Sequence, residues 1–494
     1  MALSAPVEIS TEARLRARAT RLIFGIGLAM AVAVAVLSGV ELVVLAQRAA
    51  FGGPKTIVWT AAACLLLIAA WAAVKWNRGP LRTHPLATVL AVIIVTRLLD
   101  IALVSAPLES DFLTYYNLGA QIAQTGPLLD RVPTGYPTAL AVVFAPFGAQ
   151  PVYGQLLNCV MALVTAALLY DIALRIWGAD SARWAAWLFA LAPSQILMTG
   201  VLASEPAYGL LLTLAIWISV RLGPRRILAG LAIGAVLAAS NYVRPTSPAL
   251  VPAFVVLLFL VARFRVATLA SVAMVGCFLV LLLPVAVWSD QTKGELSISP
   301  SNYGGWSLLV GTDPAHTGQF DPDLASQVEG VLGTPEFDRR AGQLAIDRLR
   351  KNPAKFVPLA IEKFPIMWAA DTYGVLYTLG IGQDSDHPSE SKGLLVVSGA
   401  GYLAIVAFAA YGLWAMRSAV PPTATLILLL MLALAVVHTF LEIEPRYHSF
   451  MVPLFCILGG YGVSAFGSVA PASRFAAWRL RTRRRTGPDS AAAE

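Results

Sequence analysis

Side chains able to do chemistry gather in six short clusters of an otherwise apolar sequence. The first is Glu109-Ser110-Asp111, with Tyr115 one helical turn beyond. Residues four apart share a helix face, so a carboxylate able to accept a proton stands beside a phenol. Ser110 or Asp111 also suits a helix cap. The second cluster, Pro133-Thr134-Gly135-Tyr136-Pro137, forces a turn. The third, Ser204-Glu205-Pro206, adds a second carboxylate in a tight turn between two apolar arms. The fourth and fifth, Asn241-Tyr242-Val243-Arg244-Pro245 and Glu442-Ile443-Glu444-Pro445-Arg446-Tyr447-His448, each bring a guanidinium. Its fork matches a phosphate, and its aliphatic stem equally allows it to reach lipid headgroups. The sixth runs from Asn302-Tyr303-Gly304-Gly305-Trp306 through His316. Aromatic faces beside amides and carboxylates suit sugar rings, although Trp and Tyr are also ordinary residues of a membrane interface.

The elements that must position these clusters follow from composition. Of 494 residues, 57% are hydrophobic and 13% charged, against about 25% charged in soluble domains. Apolar runs of about 20 residues, the length that crosses a hydrocarbon core, recur at 22–46, 55–75, 86–105, 151–174, 184–201, 207–221, 227–242, 247–262, 266–288, 394–416, 421–440 and 449–467. The fold class expected is all-α and polytopic, with about twelve spans. The run at 22–46 is too long for the core of a cleavable signal and reads as a retained span. The net charge of +8 does not mark a nucleic-acid binder. Arg14 to Arg21, Lys75 to Arg82, Arg175 and Arg183, Arg221 to Arg226, Arg263 and Arg265, Arg417 and Arg479 to Arg485 all fall on one side if the N-terminus is cytoplasmic. All six clusters then face the opposite, outer side. Cys64, Cys159, Cys277 and Cys456 lie in apolar runs without metal-ligand spacing and read as small hydrophobic residues. The apolar patch at 140–147 is too short to span, 337–352 has the period of an amphipathic surface helix, and 355–377 reads as an interfacial or re-entrant helix.

Neither GxxxxGK[ST] nor a strand-borne GxGxxG occurs, so an enzyme here would draw its activated substrate from a lipid-linked donor. The motifs Ser110-Asp111-Phe112 with Tyr115, Gly135-Tyr136-Pro137, Ser204-Glu205-Pro206, Val243-Arg244-Pro245, Gly304-Gly305-Trp306 with Gly311, and Glu444-Pro445-Arg446-Tyr447 with Pro453 occur in that order over residues 86–467. The sequence thereby resembles the GT-C superfamily of polytopic membrane glycosyltransferases, on the bacterial branch similar to protein O-mannosyltransferases and aminoarabinose-lipid A transferases. The resemblance implies a hexosyl- or pentosyltransferase for cell-envelope glycan or glycolipid synthesis, multi-pass in a bacterial plasma membrane, with its site facing the periplasm or cell exterior. It implies a polyprenyl-phosphate sugar donor and Asp111 as base; the chemistry expected is direct displacement, with inversion at the anomeric centre, onto a glycan, lipid or protein hydroxyl, with Glu205 assisting Asp111 or orienting the acceptor. Tyr115, Tyr136, Arg244, Tyr303, Trp306, His316, Glu444, Arg446 and Tyr447 are the expected donor- and acceptor-binding residues. The sequence departs from the pattern in carrying two spans ahead of the core, and a single Asp111 with Glu109 in place of an Asp-x-Asp pair. No metal ligand is therefore assigned, and a divalent cation is left open. The expected division is 1–85, N-terminal with two extra spans; 86–288, a core carrying the first outer loop at 106–150; 289–393, an outer region; 394–470, the last spans; and 471–494, a basic tail. A transporter or lipid-linked-sugar flippase is the alternative.

Overall fold

The computed structural model describes residues 11–50, 61, 85–104, 106–223, 225–379 and 389–469. Every regular element among them is helical. The chain begins with α1 (Thr11–Ala50) and α2 (Pro85–Leu103), then a pair, α3 (Ser110–Thr125) and α4 (Gly135–Phe147). A series follows: α5 (Pro151–Trp177), α6 (Ala179–Ala190), the short α7 (Pro193–Leu197), α8 (Glu205–Arg221), α9 (Arg226–Val243), α10 (Val251–Val261), α11 (Phe264–Leu281) and α12 (Leu283–Lys293). Next come α13 (Gly304–Thr312), α14 (Pro335–Lys351), α15 (Phe356–Trp368) and α16 (Tyr373–Thr378). The last three are α17 (Ser389–Ala415), α18 (Pro422–Phe440) and α19 (Val452–Val469), with a 3-10 turn, Pro445–Met451, leading into α19.

Eight helices among the described residues are long and apolar enough to cross a membrane, where the hydropathy pattern predicts about twelve spans. The difference has local causes. Proline splits the expected run at 184–201 into α6 and α7; at 266–288 it shortens the run to α11, which remains one of the eight. The run at 247–262 becomes a 3-10 turn and the eleven-residue α10. With 17 residues, α8 reaches roughly 25 Å, short of a hydrocarbon core of about 30 Å. The run at 55–75, with Cys64 and the Lys75 to Arg82 group, and the basic tail from 471, lie outside the described residues.

Large apolar side chains such as Val36, Leu99, Val160, Val272 and Val280 are exposed along the long helices, as a hydrocarbon solvent allows. Between helices, small residues permit close approach. A Cβ on Gly230 or Gly234 would lie 2.4 Å from the Ala270 carbonyl oxygen or 2.3 Å from that of Met274, so α9 lies nearly backbone to backbone with α11.

The basic groups converge at one end. Arg16 donates to the Ala262 carbonyl at 2.6 Å, which places the start of α1 beside Arg263. Arg175 and Arg221 share Asp171 at 2.8 and 3.6 Å. Because α8 carries Arg221 at one terminus and Glu205 at the other, the third cluster lies at the end remote from these arginines. The patch at 140–147 belongs to α4, a 13-residue helix. The amphipathic pattern at 337–352 folds as α14, burying Phe337, Ala341 and Ala345. These join Trp306, Leu309, Val310, Leu324 and Val328 in a small core of their own, the centre of a separate lobe. The segment at 355–377 forms α15 and the start of α16 rather than a span.

Candidate active site

Four charged residues from four separate elements form one chain. Asp111 is the second residue of α3, Glu205 the first of α8, Arg244 caps the C-terminus of α9, and Arg446 lies in the 3-10 turn before α19. One Arg446 Nη donates to Asp111 Oδ2 at 2.5 Å, and its Nε lies 3.5 Å from Glu205 Oε1. Arg244 donates to the same Glu205 oxygen at 2.5 Å and to Ser204 Oγ at 3.3 Å. Glu205 is therefore shared by two guanidinium groups. The order Asp111–Arg446–Glu205–Arg244 alternates in sign and sums to zero.

Burial separates the two carboxylates. The Glu205 side chain is 3% exposed, whereas that of Asp111 is 47% exposed. The sequence reads Glu205 as standing in a tight turn between two apolar arms; in the fold it is the first residue of α8, followed by Pro206, and its carboxylate is buried. Asp111 is free to meet a ligand because it does not serve as a cap: Glu109 holds the N-cap position, with no side-chain cap hydrogen bond. Ser110 beside it has φ of 50°, a left-handed conformation that a non-glycine residue adopts only where its surroundings hold it, and such residues cluster at functional sites.

Aromatic rings wall the arginines. The Arg446 guanidinium carbon lies 5.7 Å from the Phe112 ring centre, 5.6 Å from Tyr377 and 5.9 Å from Tyr447; that of Arg244 lies 4.8 Å from Tyr447. Such cation–π contacts hold the fork without using its hydrogens. Glu444 accepts from the Tyr373 hydroxyl at 2.9 Å, and Tyr377 donates to the Tyr373 oxygen at 3.2 Å. Burial above all, reinforced by the Asp111 charge, pushes the Tyr115 phenol up to about 12, so it acts as a proton donor in hydrogen bonds. Burial and the neighbouring Glu444 likewise raise Glu442 to about 7.

Several expected site residues are placed otherwise. Tyr136 is fully buried, donates to Asn158 Oδ1 at 3.0 Å and touches Tyr115 by its ring edge. Trp306 is 1% exposed inside the core of the lobe built around α13 and α14. His316 pairs with Asp321 at 2.7 Å. Tyr303 remains near the cluster, within reach of the Asp111 charge.

Other residues of the site are not apparent from the motifs. Tyr373 and Tyr377 belong to a stretch notable only for its apolarity. Just before them, Asp371 is 2% exposed and accepts from Ser194 Oγ at 2.9 Å and Ser449 Oγ at 3.1 Å, tying α7 to the Arg446 turn. Lys363, 1% exposed, donates to the carbonyls of Gly311, Thr439 and Leu441 at 2.6 to 2.8 Å. Burial lowers its pKa to about 7, while three acceptors match the three hydrogens of an ammonium. Within α2, Arg97 and Asp100 are buried, with two of the guanidinium nitrogens unpartnered. Ionisable residues inside apolar runs are the signal that points to Lys363, Arg97 and Asp100. Among the described residues, no group of three or more His, Cys, Asp or Glu side chains converges as a metal would require.

An apolar groove of about 640 Å³ opens beside the cluster. Leu129, Ala139, Ala207, Leu210 and Val243 line it, and Ala207 and Val243 are close in sequence to Glu205 and Arg244.

No family model matches the sequence, and no curated protein matches it. Among solved structures, the chain is similar to the oligosaccharyltransferase of Archaeoglobus fulgidus in its apo form, with 13% identity and a TM-score of 0.47, over 82% of this chain and 52% of that one. The same archaeal enzyme, AglB, in complex with an inhibitory peptide and a dolichol-phosphate matches at 11% identity and a TM-score of 0.46. ArnT from Cupriavidus metallidurans bound to undecaprenyl phosphate matches at 14% identity and a TM-score of 0.36, over 78% of both chains. The chain spans about half the length of the archaeal oligosaccharyltransferase.

Proposed function

We propose that this chain is an integral membrane glycosyltransferase that moves a sugar from a polyprenyl-phosphate donor to an acceptor hydroxyl at the extracytoplasmic face of a bacterial plasma membrane, with inversion. The observation that carries the reading is the convergence of Asp111, Arg446, Glu205 and Arg244 on one ion-pair chain with a single accessible carboxylate, beside an apolar groove. Four of the motifs of the sequence resemblance, those carrying Asp111, Glu205, Arg244 and Arg446, supply these residues.

In this mechanism the acceptor oxygen attacks the anomeric carbon as the bond from that carbon to the phosphate oxygen breaks. The acceptor's proton passes to Asp111 Oδ, which points outward. The attacking hydroxyl grows acidic as its new bond forms, and a positioned carboxylate then suffices to accept its proton. The leaving phosphate gains charge, and Arg446 and Arg244 lie ready to stabilise it without rearrangement. Glu205 holds both forks in place, so its role is positioning. The groove takes the isoprenoid chain.

The test is sugar transfer by purified protein in lipid nanodiscs, using a panel of polyprenyl-phosphate-linked hexoses and pentoses, together with mass spectrometry of co-purified lipid. Turnover of one donor that Asp111→Asn lowers by about 10²–10⁴-fold is the expected result. No turnover of any donor, with no polyprenyl phosphate bound, overturns the proposal. The buried Arg97 and Asp100 favour a second reading as a transporter or flippase, since intramembrane ionisable groups mark translocation paths. Lipid-linked sugar crossing a proteoliposome membrane without transfer would establish that reading instead.

A further inference from the structure

The lobe built around α13 and α14 contains a second concavity, lined by none of the four cluster residues. It encloses about 700 Å³ between the strand-like stretch after α12 and the start of α14, a size typical of small-molecule sites, roughly 300–1,000 Å³. Its walls are polar. Lys293, Arg339 and Arg340 face it together with Glu295, Glu336 and Asp338. The three formal positive charges cancel the three negative ones, so neither a polyanion nor a polycation is favoured. Only Val331 and Pro335 add apolar side chains, which leaves little to grip the side chains of a peptide.

Asn302 also lines this cleft. It is 7% exposed, and its Oδ1 has no hydrogen-bond partner. A buried amide oxygen left unpaired carries the desolvation cost of an unmade bond, which an incoming O–H removes. Carboxylates and guanidinium groups present paired atoms in a plane, which suits neighbouring hydroxyls on a ring. The cleft adjoins the proposed active site through Tyr303, the residue after Asn302. The Asn302 backbone N–H donates to the Arg131 carbonyl at 2.9 Å. Asp338 in the cleft and Asp111 in the cluster both act on the Tyr303 phenol, which burial chiefly holds above its ordinary pKa.

We infer that this cleft binds a neutral, hydroxyl-rich carbohydrate chain and presents its terminal hydroxyl toward Asp111. The binding stands by itself; its use as acceptor rests on the glycosyltransferase reading. The experiment measures binding without donor, so it requires no catalysis. Linear neutral tetrasaccharides of glucose, mannose, galactose and arabinose are titrated into the nanodisc-held protein and followed by saturation-transfer NMR and calorimetry. Gly304→Leu and Asn302→Leu are compared, with melting temperatures. A Cβ on Gly304, which lines the cleft, meets nothing within 4 Å, so the leucine grows into open space and the fold survives even if Asn302→Leu does not fold. At least one tetrasaccharide is expected to bind, with affinity lowered about tenfold or more by Gly304→Leu, equivalent to about 1.4 kcal/mol. Binding by none, equal binding by Gly304→Leu, or preferential binding of a random-sequence peptide pool overturns the inference. Saccharide binding at the cleft without sugar transfer from any donor leaves this site standing and removes the enzymatic reading.

Discussion

Two carboxylates touch Arg446, and their different burial predicts opposite consequences of neutralising them. Asp111→Asn removes a half-exposed partner at 2.5 Å while leaving Arg446 its Glu205 contact at 3.5 Å and its ring contacts. An exposed ion pair contributes about 0–1 kcal/mol, so the melting temperature should scarcely change. The transfer rate, in contrast, should fall about 10²–10⁴-fold, or about 2.7–5.4 kcal/mol on the barrier. Glu205→Gln neutralises a carboxylate that is 3% exposed and pairs with two guanidinium groups. Breaking a buried pair costs about 3–5 kcal/mol, and nothing nearby replaces that charge, since Arg244 retains only Ser204 Oγ and its rings. This variant should melt markedly earlier, and its activity should follow its folded fraction. The assay is single-turnover transfer from a polyprenyl-phosphate sugar at saturating donor, with melting followed on the same samples. An Asp111→Asn protein transferring at near the parental rate would refute the base assignment. A Glu205→Gln protein as stable as the parent but as slow as Asp111→Asn is expected to be absent; finding it would exchange the two roles.

The remaining expectations concern the arginines, acidity and sidedness. Arg244→Ala and Arg446→Ala should each weaken donor binding about 10–150-fold, the worth of one charge-assisted hydrogen bond; Lys should rescue only in part, having no fork, and unchanged affinity would leave both as structural ion pairs. Glu442 is raised from 4.5 to about 7 in the fold. The folded chain therefore binds the extra proton between those values, so this group's stabilisation is complete below pH 4.5 and is lost as pH rises through 7. Melting from pH 4.5 to 8 should show that loss in the parent and a flatter profile in Glu442→Gln; parallel profiles would rule the group out. A cysteine at position 320, labelled with an impermeant reagent in intact cells, should react before the membrane is broken. Labelling only afterward would reverse the topology and move the site to the other face.

Much of this arrangement is legible in the sequence because charge alternation assigns sides before any contact is known. Asp111, Glu205, Arg244 and Arg446 stand on one side by that rule and meet in the fold. Which cation serves which carboxylate is not legible, because Asp111 and Arg446 are 335 residues apart and no local spacing encodes that pairing. The glycines around Trp306 read as a ligand loop; one of them, Gly305, instead lets α13 press on α14, since a Cβ there would lie 1.9 Å from the Asp338 carbonyl oxygen. Tyr373 and Tyr377 escape because an aromatic residue in an apolar stretch looks the same whether it faces lipid or an arginine. Part of the difference in span number arises because a window of apolar residues does not register where Pro193 divides a helix.

The same separation along the chain sets a timetable for biogenesis. Glu205 and Arg244 are 39 residues apart and can neutralise each other as soon as α8 and α9 have both entered the bilayer, so neither need cross it as a lone charge. Asp111 has no such early partner. At about 5–20 residues per second, the ribosome needs roughly 17–67 s to travel the 335 residues from Asp111 to Arg446. Throughout that interval Asp111 lacks the guanidinium it meets in the fold. The chain of four charges closes only with delivery of the turn before α19, so its completion is among the last events of synthesis.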